Sequence, residues 1–152
     1  MQLIKRIMAP TDFSDMSKEA LSLAAEMAQM HKASLHIVHV FEEPAFPSFY
    51  GAGALLLYGK VPDIRKQAIE ALDELAAPLR AKSGLDITTE LLDGHAADSI
   101  KAYAEAEHID LIIIPTHGLT GLRHILLGSV AERVVREAKC PVFVYKSQPA
   151  KD

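Results

Sequence analysis

A glycine-containing stretch late in the chain has the residue types that suit a phosphate ligand. Nine residues separate Thr116-His117-Gly118 from Gly128-Ser129-Val130, where a helix is predicted to begin. Glycines beside a helix N-terminus let a ligand approach the backbone, and the N–H groups at that end attract phosphate. The alternative is that Gly118 is only a turn residue and Ser129 only an N-cap. The stretch is neither a P-loop nor a GxGxxG fingerprint.

A second candidate ligand-binding residue is Asp12, in the run Pro10-Thr11-Asp12-Phe13-Ser14. This run joins the first predicted strand to the first predicted helix. Asp12 has a carboxylate that could hydrogen-bond a ligand, but aspartate just before a helix also commonly supports capping, here by Ser14. Both roles stay open from the sequence.

The apolar pattern switches repeatedly between short strand-like runs and longer helix-like ones. Strands are predicted at 3–9, 35–41, 86–92, 110–115 and 141–146, and helices at 14–31, 62–84, 96–107 and 129–138. Ile64 and Val135 are counted among the core-facing positions of the second and fourth helices. Strictly alternating strands and helices predict an α/β fold, with a parallel sheet covered by helices on both faces. Ligands of such sheets bind outside the carboxyl ends of the strands, where both candidate segments lie.

Length and composition exclude several classes of protein. The chain has 152 residues and a formal net charge of −4, so we predict one domain at 1–147 and a flexible tail at 148–152. The acidic balance does not favour nucleic acid, and no apolar run approaches a membrane span of about 20 residues. Cys140 alone makes no internal disulfide or cysteine-based zinc site. With no secretory h-region at 1–10, a cytoplasmic location is expected.

Other constellations point to simpler roles. His36 and His39 are three residues apart on a strand, so they face opposite sides and cannot chelate one metal together. A hydrolytic triad of Ser129, His117 and Asp12 lacks the G-x-S-x-G elbow, so no catalytic residue is assigned. Cys140 beside strand five is expected to be a buried, inert thiol. Arg123, Arg133 and Arg136 could reach a phosphate, although arginines on a helix usually form a solvated face.

Taken together, the motifs resemble those of the universal stress protein (UspA) family. The matching segments are Pro10-Thr11-Asp12-Phe13-Ser14, His39-Val40, Thr116-His117-Gly118, the run from Gly128 to Val134, and Cys140-Pro141-Val142. The resemblance covers essentially the whole chain. It implies a Rossmann-like three-layer fold with five parallel strands in the order 3-2-1-4-5, a homodimer and, in many members, ATP at the switch point.

The nucleotide-binding branch of that family has a motif of glycine, two residues, glycine, nine residues, glycine, then serine or threonine. Gly118, Gly128 and Ser129 match its last three positions, but Pro115 stands where the first glycine would be and supplies no N–H. The resemblance implies that Asp12 and the backbone of Val40 hold the adenine end. The nucleotide-binding residues implied in this way are Pro10, Thr11, Asp12, Val40, Pro115, Thr116, His117, Gly118, Gly128, Ser129 and Val130.

The expected function is that of a stress-response dimer which binds ATP, with a divalent cation such as Mg²⁺, and has no efficient catalysis. A nucleotide-free signalling dimer and a slow ATPase are the alternatives. In the implied strand order, strand five is an apolar sheet edge, so Val142, Phe143 and Val144 are expected to form the dimer interface. The apolar segment 46–58 is expected to be a lid over the crevice, a partner surface or a short helix covering the core.

Overall fold

The computed structural model describes residues 3–43, 59–118 and 126–147. Its elements are β1 (Arg6–Pro10), α1 (Asp15–His31), β2 (Ser34–Phe41), α2 (Val61–Ser83), β3 (Ile87–Asp93), α3 (Ala96–Ala106), β4 (Leu111–Pro115), α4 (Ser129–Glu137) and β5 (Val142–Tyr145). The alternation predicted from the apolar pattern is confirmed. Arg123, the segment 46–58 and the tail 148–152 lie outside the described residues, so the expectations for them stay predictions.

The five strands form one parallel sheet in the order β3-β2-β1-β4-β5. The implied strand order is therefore confirmed. The direction of winding reverses between β1 and β4, which makes the gap between their carboxyl ends the topological switch point.

Side chains that alternate along the strands build a separate core on each face of the sheet. Ile7 and Ile113 are fully buried against α1 and α2. Met8 and Ile112, their neighbours in sequence, are fully buried against α3 and α4. Strand β4 is consequently buried along its whole length, as expected for a strand covered on both faces.

Local signals set most helix boundaries. Ser14 is the N-cap of α1 and accepts the N–H of Ser17, and Gly84 ends α2 with a φ of 62°, a conformation that favours glycine. The sequence was wrong about Ile64 and Val135, which are 45% and 44% exposed. Ile64 lies in the first turn of α2, before packing against the sheet begins, and α4 already covers its side of the sheet through other residues.

The first strand also differs from its prediction. It runs from Arg6 to Pro10, three residues later at its start than expected, and it includes the proline that was expected to end it. Proline is tolerated there because its nitrogen does not face the β1–β2 ladder.

No helix in the described part of the chain is both long and apolar enough to cross a bilayer. The longest of them, α2, has 23 residues but carries Asp63, Arg65 and Lys66 near its beginning.

Candidate functional site

A crevice opens between β1 and β4 because their ladder stops short of the strand ends. The last pair in that ladder is Met8 with Ile112. Thr11, directly after Pro10, donates its N–H to β2, and Thr116, directly after Pro115, donates its N–H to β5. Because backbone groups alternate in direction along a strand, both proline nitrogens point toward the gap between β1 and β4. Proline has no N–H. The two prolines thus remove the donors that would extend the ladder, and the strands separate at the switch point.

The crevice contains a cavity of about 260 Å³ at the carboxyl ends of the strands. The residues predicted from sequence to form one site all line it: Pro10, Thr11, Asp12, Val40, Pro115, Thr116, His117, Gly118, Gly128, Ser129 and Val130. The fold therefore brings the β1–α1 and β4–α4 loops together around one space. The contact of these residues with a nucleotide stays a prediction.

Several lining residues were not among the predicted site residues: Ser17, His39, Ala96, Ile100, Ile114 and Ala131. The apolar ones follow the periodicity of core residues, which is the only signal they carry. His39 carried a stronger signal, because it is a polar side chain near the end of a largely buried strand, beside Val40.

The wall formed by the β1–α1 turn satisfies its own polar groups. Thr11 donates its N–H to Val38 O at 2.8 Å, and its hydroxyl lies 2.9 Å from the Ser17 hydroxyl. Asp12 Oδ1 accepts the Ser14 N–H at 3.0 Å, and Ser14 Oγ accepts the Ser17 N–H at 3.2 Å. Asp12 therefore supports the helix cap, and it lines the cavity as well.

Two glycines bring the opposite wall close to its neighbours. A Cβ on Gly118 would overlap Asp12 Oδ2 where that carboxylate now lies, so glycine allows the two loops to meet here. A Cβ on Gly128 would lie 3.2 Å from Thr116 O, and the Gly128 N–H donates to that same oxygen at 2.6 Å. The Gly128 N–H is therefore not open to a phosphate, because the Thr116 carbonyl already accepts it.

Three helices begin around the cavity, and they differ in how their first turns are capped. Ser14 caps α1, and Glu42 Oε1 accepts the first N–H of α3 at 2.7 Å. The N-cap of α4 is Gly128, which makes no side-chain cap, and Ser129 is the first helical residue rather than the cap. The N–H groups of Ser129 and Val130 have no acceptor within the helix. They form an electropositive end beside the cavity that both residues line.

The end of β2 offers another pair of backbone groups to the cavity. Along β2, the backbone N–H and C=O groups of successive residues point in turn toward β1 and toward β3. The Val38 C=O accepts the N–H of Thr11, so the backbone groups of Val40, two residues later, also point toward the β1 side. The register of β1 with β2 ends at Pro10 and Val38. Across residues 3–43, 59–118 and 126–147, no backbone group pairs with the Val40 N–H or C=O on that side. Val40 thus presents both groups to the cavity that it lines.

Some side chains considered as ligand contacts lie away from the cavity. Arg133 pairs with Asp98 at 2.8 Å, and Arg136 pairs with Glu132 at 2.6 Å. Neither arginine lines the cavity. Cys140 is half-buried, and burial raises the pKa of its thiol, which favours the inert role.

The two histidines of β2 have separate surroundings, as their spacing predicted. Nδ1 of His36 lies 2.9 Å from the Tyr103 hydroxyl on the α3 side, whereas His39 contacts the β1–α1 turn. Burial lowers the pKa of His36, although Glu107 opposes that shift, and burial raises the pKa of Tyr103 to about 12.

Comparison with known proteins confirms the resemblance inferred from the motifs. Residues 3–146 match the Universal stress protein family. A universal stress protein of Methanocaldococcus jannaschii is 38% identical over 150 residues, which cover 99% of this chain and 86% of that relative. UspA from Lactobacillus plantarum has a solved structure that is 26% identical, with a TM-score of 0.83, covering 95% of this chain and 99% of that one. The structure of a universal stress protein from Archaeoglobus fulgidus in complex with dAMP is 25% identical, with a TM-score of 0.67, covering 94% and 98% respectively.

Proposed function

Because this chain belongs to the universal stress protein family, we propose that its switch-point cavity binds ATP and that binding regulates the protein in the stress response. The observation that carries the proposal is the uncapped first turn of α4 beside a cavity lined by every predicted site residue. The complex of the Archaeoglobus fulgidus relative with dAMP supports an adenine nucleotide as the ligand class.

The phosphate end of the nucleotide belongs at the start of α4. There the N–H groups of Ser129 and Val130 donate to no backbone group in residues 3–43, 59–118 and 126–147, and the Ser129 hydroxyl lies next to them. The dipole of α4 adds a favourable potential for an anion. A divalent cation such as Mg²⁺ would accompany the triphosphate and neutralise part of its charge. The glycines at 118 and 128 fit this role because a Cβ at either position would crowd a neighbour, the Asp12 carboxylate or the Thr116 carbonyl.

The adenine end belongs at the carboxyl end of β2. The Val40 N–H is a donor and its C=O an acceptor, which together match one edge of adenine. Asp12 stands on the other side of the cavity, with one carboxylate oxygen engaged by the Ser14 N–H. A ligand that contacts the ends of both β1 and β2 favours whichever arrangement of the loops it binds best. Nucleotide binding would thereby shift the population that partner proteins recognise.

Two variants of one residue test the phosphate site without disturbing the fold. Ser129→Pro removes an N–H and a hydroxyl at the first helical position, where proline is tolerated. The preceding Gly128 already has the extended conformation that a following proline requires, with φ −66° and ψ 160°. Ser129→Ala, the matched control, removes the hydroxyl alone. We expect Ser129→Pro to weaken ATP binding about tenfold in calorimetry, the scale of one charge-assisted hydrogen bond, and Ser129→Ala to weaken it less.

Adenosine provides the control ligand, because it lacks phosphate and should bind both variants as it binds the parent. Equal loss of ATP and adenosine would place the effect outside the phosphate end. Denaturing freshly purified protein and chromatographing the released nucleotide tests the ligand class directly. If the parent releases none and binds no ATP, the nucleotide-free signalling dimer is favoured instead. Phosphate release from ATP then tests the slow ATPase.

Assembly as a homodimer through β5 is a separate part of the proposal. Strand β5 lies at an edge of the sheet. Thr116 donates its N–H to Tyr145 O, so alternation turns the backbone groups of Val142 and Val144 to the open edge. Phe143 is 43% exposed. Antiparallel pairing of two copies about a two-fold axis would satisfy this edge and cover its apolar residues.

Val144→Pro tests this interface, because it removes an outward-facing donor without breaking the β4–β5 ladder. We expect the variant to be monomeric by light scattering, with far-UV circular dichroism unchanged. Thr89→Pro is the matched control on the β3 edge, where Leu35 donates to Asp86 O and alternation likewise turns the nitrogen of Thr89 outward. That variant should stay dimeric. A dimeric Val144→Pro would move the interface away from β5. The cytoplasmic location expected from the sequence stays a prediction.

A further inference from the structure

We infer that His39 is a positioning residue that sets base selectivity, by occupying the Thr11 carbonyl and so leaving the Val40 N–H for the ligand. The inference deepens the proposed function and rests on it for the identity of the ligand. Its backbone part concerns the ligand-free protein and can be tested without any nucleotide.

The histidine makes a defined contact with the β1–α1 turn. Nδ1 of His39 lies 2.7 Å from the carbonyl oxygen of Thr11. A carbonyl only accepts hydrogen bonds, so Nδ1 carries the proton and donates it. The His39 ring also packs on the Phe13 ring, with their centroids 4.5 Å apart and their planes at 41°. Both contacts tie the end of β2 to the turn that carries Asp12.

The Thr11 carbonyl is the acceptor that the β1–β2 ladder would use next. Pro10 is paired with Val38, and the N–H of Thr11 donates to Val38 O at 2.8 Å. In a parallel ladder the following bond would run from the Val40 N–H to Thr11 O. No such bond is among those made by the described residues. The side chain of His39 supplies the donor instead, and the backbone donor of Val40 is left over.

The turn that His39 contacts has a strained backbone conformation at Phe13, and hydrogen bonds and ring packing hold it there. Phe13 has a φ of 65°, a left-handed conformation that is costly for an aromatic residue. The Phe13 N–H donates to Thr11 Oγ1 at 3.0 Å, and the ring contact with His39 adds to this restraint. A turn restrained in this way keeps Thr11 O in one position, which allows a single histidine donor to satisfy it.

The donor that is left over has consequences for selectivity. Adenine pairs an acceptor, N1, with a donor, its amino group, and the Val40 N–H and C=O are complementary to that edge. Hypoxanthine presents a donor at N1 and an acceptor at O6, so it mismatches both groups. A site that hydrogen-bonds one edge rejects the reversed edge, because its buried polar groups are then left unpaired. If Val40 instead donated to Thr11, this discrimination would be lost.

Variants of His39 separate the ring from the donor. His39→Asn places an amide nitrogen near the position of Nδ1 and retains the donor, whereas His39→Phe retains a ring against Phe13 but has no donor. We expect the parent and His39→Asn to prefer ATP over ITP, by about tenfold or more on the scale of a lost hydrogen bond. His39→Phe should reduce that preference at least about fivefold while binding tripolyphosphate as the parent does. An unchanged ATP-to-ITP ratio in His39→Phe would overturn the inference.

Amide hydrogen exchange in the ligand-free protein gives the independent readout. In the parent, we expect the Val40 amide to exchange faster than the Val38 amide, which lies within the ladder. In His39→Phe, the Val40 amide should become protected as it pairs with Thr11 O, and in His39→Asn it should stay unprotected. Protection of Val40 in the parent would overturn the inference even if ATP binds. Failure of ATP to bind the parent, with the expected exchange pattern, would count against the proposed ligand alone.

Discussion

The first turns of α1 and α4 face the same cavity, yet they treat their backbone N–H groups in opposite ways. Ser14 lies before α1 and caps it, and the Ser14 N–H is itself accepted by Asp12. Ser129 lies one position later relative to its helix, as the first helical residue, and Gly128 takes the N-cap position without a side chain. Ser14, at the N-cap position, therefore stabilises its helix, whereas Ser129, one position later, leaves backbone donors for a ligand. The position of the serine relative to the N-cap decides between these two roles.

This contrast assigns stability and binding to different walls of the cavity. The β1–α1 wall is closed by hydrogen bonds within the turn and to β2, so changes there should mainly alter the free energy of unfolding. In the described part of the β4–α4 wall, the N–H groups of Ser129 and Val130 donate to no backbone group, so changes there should mainly alter ATP affinity. Three substitutions test that division, and a fourth, outside both walls, serves as a reference.

Gly118→Ala should have the largest effect, because it disturbs the contact between the two walls. Its Cβ would overlap Asp12 Oδ2, so the Asp12 carboxylate or one of the loops must shift. We expect ATP affinity in calorimetry to fall more than about tenfold, since a small misplacement of binding groups is costly. The matched control is Gly84→Ala, where a Cβ meets nothing within 4 Å but φ is 62°. It should lower the melting temperature through backbone strain and leave ATP affinity unchanged. Parental ATP affinity in Gly118→Ala would contradict the assigned contact.

Ser14→Ala should lower stability without altering ATP affinity. The variant loses the side-chain oxygen that accepts the Ser17 N–H, and loss of such a cap costs about 1 kcal/mol. Denaturant unfolding measures the loss. Ser129→Ala provides the comparison across the cavity and should leave the free energy of unfolding within about 0.5 kcal/mol of the parent. Equal destabilisation by both substitutions would remove the distinction between the two helices.

Pro115→Gly should tighten ATP binding. Glycine restores an N–H at a position that faces the β1–β4 gap, and one hydrogen bond contributes about 1 kcal/mol, or about fivefold in affinity. The free energy of unfolding should fall slightly, because glycine gives the unfolded chain more conformational entropy than proline does. Calorimetry and thermal unfolding measure the two effects. Unchanged affinity would indicate that the new N–H donates to the Pro10 carbonyl and extends the ladder instead.

His36 should produce the smallest effect, and only on stability, since it lies outside both walls. Burial lowers its pKa below the ordinary value of 6.5, so the unfolded chain takes up a proton before the folded protein does. The contribution to stability is therefore complete above pH 6.5 and is lost as pH falls through the lowered pKa. Denaturant unfolding measured from pH 7 down to about pH 5 should show this loss, and His36→Gln should reduce the slope. A slope that stays the same would assign the pH dependence to other groups.

The sequence by itself determined the architecture and the location of the site. Short apolar strands and amphipathic helices alternate strictly, which leaves few arrangements other than a parallel sheet. Cap residues act locally, so Ser14 and Gly84 marked helix ends correctly. The loops after β1 and β4 must meet at the carboxyl ends of those strands, and their motifs therefore identified one site.

Only the tertiary structure decided which backbone groups at that site are open. The N–H of Gly128 is accepted by Thr116, twelve residues earlier, and the carbonyl of Thr11 is accepted by His39 from another strand. Strand register and loop approach set these pairings, and no local pattern of residue types encodes them. The same holds for Val135, which has a core-like spacing but is 44% exposed because α4 needs only part of its apolar surface to cover the sheet. Hydrogen bonds and burial between distant segments depend on the assembled fold, whereas capping and periodicity depend on neighbours in sequence.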